Sequence, residues 1–389
     1  MKDTTATLTG SEATFPAAEY DRRLDRLRAR IREGGAEALL LTGPENIYWA
    51  TGRQTAGYFA FQALVVPATG APVLLVRQLE ETSARAGTWL DDIRTWQDGQ
   101  DPAAVLGKLI ASLKLGRIAM ERTGWFVSPA LSDAMIAALG DVTLMDGSGW
   151  AEAARMVKSP AELAAMRLAG SYADAGMAAA LEACRAGASE NDIAAAMTSA
   201  AIAAGSEAMA MEPLVSSGPR SGIPHATWRR RTLEDGDGVF LELAASHDRY
   251  HAALMRAAWI GQPPEAARHM MDTALRGLDA ALGAIRPGAP CAAPHEAAQA
   301  VIDDAGHTAA FRKRAGYSMG VAFAPDWGEG GILSLFTGVE TPLQPGMVFH
   351  LPITLRDYGR YTVGVSETVI VTETGAEPLS RLPRALSIC

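Results

Sequence analysis

Two stretches in the second half of this chain repeat one another at a spacing of about 100 residues, too long for a solenoid, whose periods run ~20–50 residues. Arg185–Gly205 (RAGASENDIAAAMTSAAIAAG) and Arg286–Gly306 (RPGAPCAAPHEAAQAVIDDAG) keep an Arg, a Gly and a closing Ala-Gly in register. Further on, Leu233–Leu243 (LEDGDGVFLEL) parallels Leu343–Ile353 (LQPGMVFHLPI). Each copy reads as helix, helix, then antiparallel strands, so this region is expected to fold as two related α/β halves. A cleft between pseudo-symmetric halves is a natural place for a small-molecule site.

The residues before the repeat follow another pattern. Tyr20, Leu24, Leu27 and Ile31 fall at i, i+4, i+7 and i+11, which predicts an amphipathic helix over 15–33. The runs EALLLTG, ALVVP and PVLLVR, bounded by turn residues, predict strands. Helices near 101–114 and 128–139 flank a further strand at GRIAME, and this alternation predicts a separate α/β domain ending near Gly147. At VKSPAELAAMRLAG the pattern changes. Ser159 is an N-cap, Pro160 fits the first helical position and Glu162 completes a capping box, opening a long Ala-rich helix to about Cys184. The boundary is placed between Gly147 and Lys158.

Composition narrows the class. The chain is 48% apolar, yet no run reaches the ~20 apolar residues of a membrane helix, so a soluble protein without membrane partners is expected. The stretch MKDTTATLTGSEATFP lacks the hydrophobic segment of a secretory signal. Three scattered cysteines (Cys184, Cys291, Cys389) give neither a disulfide framework nor a zinc site, and a cytoplasmic location is expected. A net charge of −9 argues against a nucleic-acid partner, and the basic WRRRT (Trp228–Thr232) is read as a solvated turn.

Two glutamates break apolar strands. In VFLELAASHDRYHAALMR, read as a β-hairpin, Phe240, Glu242 and Ala244 share a face because side chains alternate along a strand. In TVGVSETVIVTE, Glu367 interrupts a stripe of Val363, Val365, Val369 and Val371. A carboxylate in such a place calls for a metal, a histidine, a cationic substrate or a structural arginine. His225 lies in the Gly- and Pro-punctuated loop SGPRSGIPHATW, where catalytic groups are common, and its unperturbed pKa suits proton transfer near neutrality. His350, in GMVFHLPI, reads as either a core histidine or a substrate contact.

Taken together, VKSPAEL, GPRSGIPHATW, GDGVFLEL, RYHAALMRA, LQPGMVFH and SETVIVTE resemble the pita-bread family of prolidase, aminopeptidase P, methionine aminopeptidase and creatinase. The resemblance implies a small N-terminal creatinase/prolidase-like α/β domain over 14–150 and a C-terminal pita-bread domain over 155–389 with pseudo-twofold α/β halves. Metallopeptidases of this family hold two metal ions with Asp, Asp, His, Glu and Glu. On that pattern the positions here are Glu242, Ala253, Ala324, Pro352 and Glu367, and three of them carry no donor atom. The resemblance therefore implies a site with no metal and no other cofactor.

The metal-independent creatinase and ectoine hydrolase branch is the nearest match. It implies His225 as the proton shuttle and Glu242 and Glu367 as catalytic carboxylates that hold a cation, with Glu242 also able to attack it. Met255 stands where creatinase has a second glutamate. Asp326 and Trp327 lie in an ectoine-hydrolase-like PDWGE motif, and with Met255, Tyr317, His350 and the Tyr58 and Phe61 of TGRQTAGYFAFQ they are expected to contact substrate. The expected reaction is hydrolysis of a C–N bond in a small cationic or zwitterionic amidine or guanidino compound, ectoine-type ring opening before creatine-type cleavage. A homodimer, with the 51–62 segment as a lid, is expected from the same resemblance. The alternatives are an Xaa-Pro peptidase with a rearranged metal site and a non-catalytic binding protein.

Overall fold

The computed structural model describes residues 10–329 and 331–389, and the first nine residues of the stretch MKDTTATLTGSEATFP lie outside them. The chain divides after Arg155 into two compact units. In the first, the elements run α1 (Ala17–Glu33), β1 (Ala38–Leu41), α2 (Pro44–Thr51), β2 (Ala63–Pro67), β3 (Val73–Arg77), α3 (Glu81–Gly87), β4 (Ile93–Trp96), α4 (Pro102–Leu113), β5 (Arg117–Met120), α5 (Pro129–Leu139), β6 (Thr143–Asp146) and α6 (Trp150–Arg155). The strands form a mixed sheet in the order β4-β3-β2-β1-β5-β6. The stripe of α1 buries Tyr20, Leu24, Leu27 and Ile31, as its periodicity requires. Arg23 is also buried on α1. Its guanidinium donates to the Trp49 carbonyl at 2.8 Å and to Glu19 at 2.9 Å, so its charge is paired.

The second unit runs α7 (Pro160–Ala183), α8 (Glu190–Ala204), β7 (Leu214–Ser217), β8 (Gly238–His247), β9 (Tyr250–Trp259), α9 (Glu265–Ala284), α10 (Ala293–Asp304), β10 (Gly316–Ser318), β11 (Ser334–Leu335), β12 (Val348–Asp357), β13 (Tyr361–Val371), β14 (Ala376–Pro378) and β15 (Ser387–Ile388). The capping box at Ser159 and Glu162 starts α7, and a second one, Ser189 with Asp192, starts α8. Each copy of the repeat becomes a helix pair followed by a long hairpin. Gly187 and Gly288 take the same left-handed conformation (φ 83° and 84°) ahead of α8 and α10. Gly236 and Gly346 match one another likewise ahead of β8 and β12.

The hairpins β8–β9 and β12–β13 are the centres of two sheets, ordered β15-β9-β8-β7 and β11-β10-β12-β13-β14. The outer face of β8, with Val239, Leu241, Leu243 and Ala245, joins α7 and α8 in one core. Phe349, Leu351, Ile353 and Leu355 of β12 join α9 and α10 in the other. Where β9 meets β13, side-chain hydroxyls replace a backbone ladder. Thr368 Oγ1 accepts from the Ala253 N–H at 3.0 Å and donates to the Ala253 carbonyl at 2.8 Å, while Ser366 Oγ accepts from the Met255 N–H at 2.7 Å. These bonds satisfy backbone groups that would otherwise be buried unpaired. They fix the inner face, where the polar side chains of both hairpins gather.

Candidate active site

Alternation along the strands sorts the candidate residues. On β8 the inner-face set is Phe240, Glu242 and Ala244, and Glu242 stands opposite Met255 on β9 and Leu214 on β7. On β12 it is His350, Pro352, Thr354 and Arg356. The directly opposite residues on β13 are Thr368, Ser366, Gly364 and Thr362.

Glu242 is 7% exposed. Burial pushes its carboxyl above the usual range, while Lys313 and Arg356 pull it down. Burial and Arg356 push the Lys313 ammonium well below its usual value, against the pull of Glu242. Lys313 Nζ donates to Thr354 Oγ1 at 2.5 Å, and Arg356 Nε to Thr362 Oγ1 at 2.8 Å. Thr362 Oγ1 in turn donates to the Ser221 carbonyl, which anchors the loop that carries His225. The cations nearest in effect to Glu242 thus belong to the protein itself. Neither Lys313 nor Arg356 was singled out from sequence, since one lies in a loop and the other near a strand end, and no local pattern connects them to Glu242.

His350 is fully buried and held at both ring nitrogens. Nδ1 lies 2.8 Å from Tyr317 Oη and Nε2 lies 2.7 Å from Ser366 Oγ. Tyr317 Oη also accepts from Trp327 Nε1 at 3.0 Å. Burial, with a further push from Lys313, lowers the imidazole to about 3, so it is neutral at ordinary pH. A neutral imidazole has one donor and one acceptor nitrogen, so two proton placements satisfy the chain. Either Tyr317 donates to Nδ1 and Nε2 donates to Ser366, or both bonds reverse. Switching between them carries a proton along Tyr317, His350 and Ser366.

Glu367 does not join this group. It stands opposite Leu351, on the face that packs against α9 and α10, and is 1% exposed. Its Oε1 accepts from Arg256 Nη2 at 3.0 Å and from Arg384 Nε at 3.2 Å. The expected pairing of Glu367 with Glu242 around one cation is therefore corrected: Glu367 neutralises a buried arginine, and Ser366 occupies the inner-face position. The signal was present in the sequence. The valine stripe that Glu367 interrupts is the helix-packed face, whereas Thr362, Gly364, Ser366 and Thr368 are the polar one.

The remaining candidates divide. Met255 and Trp327 are buried, and Asp326 is exposed, accepting from the Gly328 N–H at 3.1 Å within its turn. His225 is exposed, with a left-handed backbone (φ 55°), and hydrogen-bonds to no described residue. In the first unit, Tyr58 meets Phe126 edge-on at 5.5 Å and Phe61 packs on the sheet core. The basic WRRRT divides too: Arg229 and Arg230 are exposed, while Arg231 pairs with Asp237.

The metal positions of the family can be tested on donor chemistry. The Ala253 and Pro352 side chains offer no donor atom, Ala324 offers none, and Glu367 faces the other way. Glu242 is the one carboxylate left at these positions, with the Ser366 hydroxyl beside Pro352. Among the described residues no group of three or more His, Cys, Asp or Glu side chains could hold a metal ion. These residues do not fit a dinuclear centre of hard or borderline cations.

Comparison with known proteins places this geometry in a family. Residues 164–373 match the model of metallopeptidase family M24, and residues 23–157 match the creatinase/prolidase N-terminal domain. The ectoine hydrolase of Halomonas elongata is 27% identical, covering 96% of this chain and 98% of its own. The crystal structure of dipeptidase PepE from Mycobacterium ulcerans is 29% identical, with a TM-score of 0.81 and coverage of 96% and 99%. A prolidase from Thermococcus sibiricus, at 21% identity, shares the fold with a TM-score of 0.86 over 96% of this chain and 100% of its own. With its helix-paired hairpins and its preceding mixed sheet, the chain belongs to the M24 family of hydrolases and carries the creatinase/prolidase N-terminal domain.

Proposed function

We propose that this chain is a metal-independent hydrolase that opens the C–N bond of a small cyclic amidine, ectoine-type substrates first and linear guanidino compounds second. The observation that carries the reading is Glu242: a buried carboxylate on the inner face, among family metal positions that have lost their donors. An amidinium carbon is electrophilic because the group is already cationic. Glu242 would hold its N–H groups through charge-assisted hydrogen bonds. Water attacks that carbon and the ring C–N bond breaks; where Glu242 attacks first, the C–N bond breaks as an O-linked intermediate forms, and water then attacks the same carbon and breaks its bond to Glu242. The water oxygen becomes the amide oxygen, and its two protons end on the departing nitrogen, which leaves as an ammonium group. His225 moves these protons at the loop anchored beside Arg356, and the Tyr317–His350–Ser366 chain supplies a second path.

A substrate panel tests this. Ectoine, hydroxyectoine, creatine, guanidino acids and Xaa-Pro dipeptides are assayed with one enzyme preparation. Turnover of ectoine above the rest is the expected result; cleavage of dipeptides alone would move the protein to the peptidase reading, which the similarity to PepE favours. We propose in addition that Tyr58 and Phe61 act across a homodimer in the cytoplasm. Light scattering checks the dimer, and Tyr58→Ala checks the lid through a raised KM.

A further inference from the structure

A substrate that is only a cation fits this site poorly. On the inner face Glu242 is accompanied by two basic side chains, Lys313 and Arg356; burial pushes Glu242 and Lys313 alike towards their neutral forms, and charged or neutral together they cancel and leave the Arg356 guanidinium as the surplus. The buried His350 is neutral and leaves that surplus standing. Neither Lys313 nor Arg356 forms an ion pair with a described acidic residue; each is steadied by a threonine hydroxyl, Thr354 and Thr362 respectively. Neutral hydroxyls position a cation without spending its charge, as expected where the charge is kept for a ligand. Thr354 and Arg356 are two residues apart on one strand face, so Lys313 and Arg356 converge on the same side of β12.

Lys313 also lines a cavity of about 770 Å³, within the ~300–1,000 Å³ range of small-molecule sites, which neither Glu242 nor Arg356 borders. Arg312 and Arg314 line it beside Lys313, with Phe311 and Phe336 as apolar walls, and none of its lining residues is acidic. His295, also in the wall, is 5% exposed and its Nδ1 has no hydrogen-bond partner among the described residues. A buried polar atom left unpaired in a basic, roomy cavity is suited to a ligand or water that supplies the missing partner.

We infer that Lys313 and Arg356 form a carboxylate-binding end of the site, so that the substrate is a zwitterion: an amidinium at Glu242 and a carboxylate at the lysine–arginine pair. The inference rests on the amidine-hydrolase reading and narrows it. It names two specificity-determining residues and disfavours bare guanidinium or amidinium cations, which would add a positive charge to a face that already carries the surplus of Arg356. Of the amidines and guanidino compounds above, it selects those that carry an acid group.

The test compares ectoine with the same ring lacking its carboxylate, 2-methyl-1,4,5,6-tetrahydropyrimidine, on the wild-type enzyme and on Lys313→Gln, Lys313→Arg and Arg356→Gln. Wild type is expected to prefer ectoine by about 100-fold or more in kcat/KM, roughly the loss seen when a buried charged partner goes unmatched. Lys313→Gln raises the KM for ectoine about 10-fold or more, and its effect on the ring without the carboxylate, felt through Glu242 alone, is at least about 10-fold smaller. Lys313→Arg restores most of the loss. Equal wild-type rates on the two rings overturn the inference while the amidine reading stands. So does an equal loss on both rings in Lys313→Gln, which would make that lysine structural. If wild type neither binds nor hydrolyses either ring, by calorimetry and by assay, the amidine reading fails and this inference with it. The two wild-type arms need no variant, so they decide the matter even where a variant fails to fold.

Discussion

Glu242 and Glu367 both interrupt apolar strands near the middle of a long hairpin, yet the fold treats them in opposite ways. Glu367 faces the helices and is met by two arginines, Arg256 and Arg384. Glu242 faces inward and forms no ion pair among the described residues; it feels Lys313 and Arg356 only through space. One carboxylate is spent within the structure and the other is held in reserve. A glutamate inside a strand therefore announces a partner without saying whether that partner is protein or ligand. The face it occupies decides.

The comparison is sharpest under substitution. Glu242→Gln keeps the shape and removes the charge, and turnover of a cyclic amidine is expected to fall by about 10³-fold or more. Thermal stability of that variant should hold or rise, because burial already disfavours the ionised form. Activity above a tenth of wild type would end the role given to Glu242. His225→Ala comes next, with an expected loss of roughly 10²–10⁴-fold for an acid–base group; an unchanged rate would return that exposed histidine to structure.

Glu367→Gln should act on stability instead. It leaves Arg256 buried and short of a counter-charge, at a cost of about 3–5 kcal/mol by chemical denaturation, with kcat of the folded fraction changed less than about tenfold. Adding Arg256→Met to it should recover part of the loss, because the two side chains share one interaction. A kinetic effect of Glu367→Gln as large as that of Glu242→Gln would erase the distinction between the two glutamates.

The smallest effects belong to the polar chain. Ser366→Ala is expected to lower kcat by about tenfold, since it cuts the proton path but leaves Glu242 in place. His350 gives a pH signature. Its folded value, about 3, lies below the ~6.5 of an unfolded histidine. As pH falls from 6.5 towards 3, the unfolded chain takes up a proton there that the folded chain does not. That stability is present at neutral pH and is lost through this window, by up to about 1.4 kcal/mol per pH unit. The stability difference between wild type and His350→Asn, measured by denaturation from pH 7 to pH 4, should shrink accordingly. A difference independent of pH would contradict the buried neutral imidazole.

Local features of the fold were legible because local physics sets them. The stripe on α1, the capping box at Ser159 and the β8–β9 hairpin each follow from spacing alone. The repeat was legible because the same left-handed glycines recur in both copies, at Gly187 and Gly288. The inward face of Glu242 followed from alternation. Glu367 was misplaced because β13 is buried on both faces, so an apolar stripe there looks like a cleft wall until the helices behind it are known. Arg256 and Arg384, its partners, lie 111 and 17 residues away along the chain, beyond any sequence window. Lys313 reaches Thr354 across 41 residues, and only the folded chain reveals that contact.

The proposed chemistry puts Glu242 to work on a cationic carbon without a metal. The most direct measurement is the rate of ectoine hydrolysis by enzyme stripped with a chelator and confirmed metal-free by elemental analysis, followed across an added Mn²⁺ or Co²⁺ titration. A full rate at zero metal and a flat titration are expected. A rate near zero that rises in proportion to bound metal would contradict that chemistry.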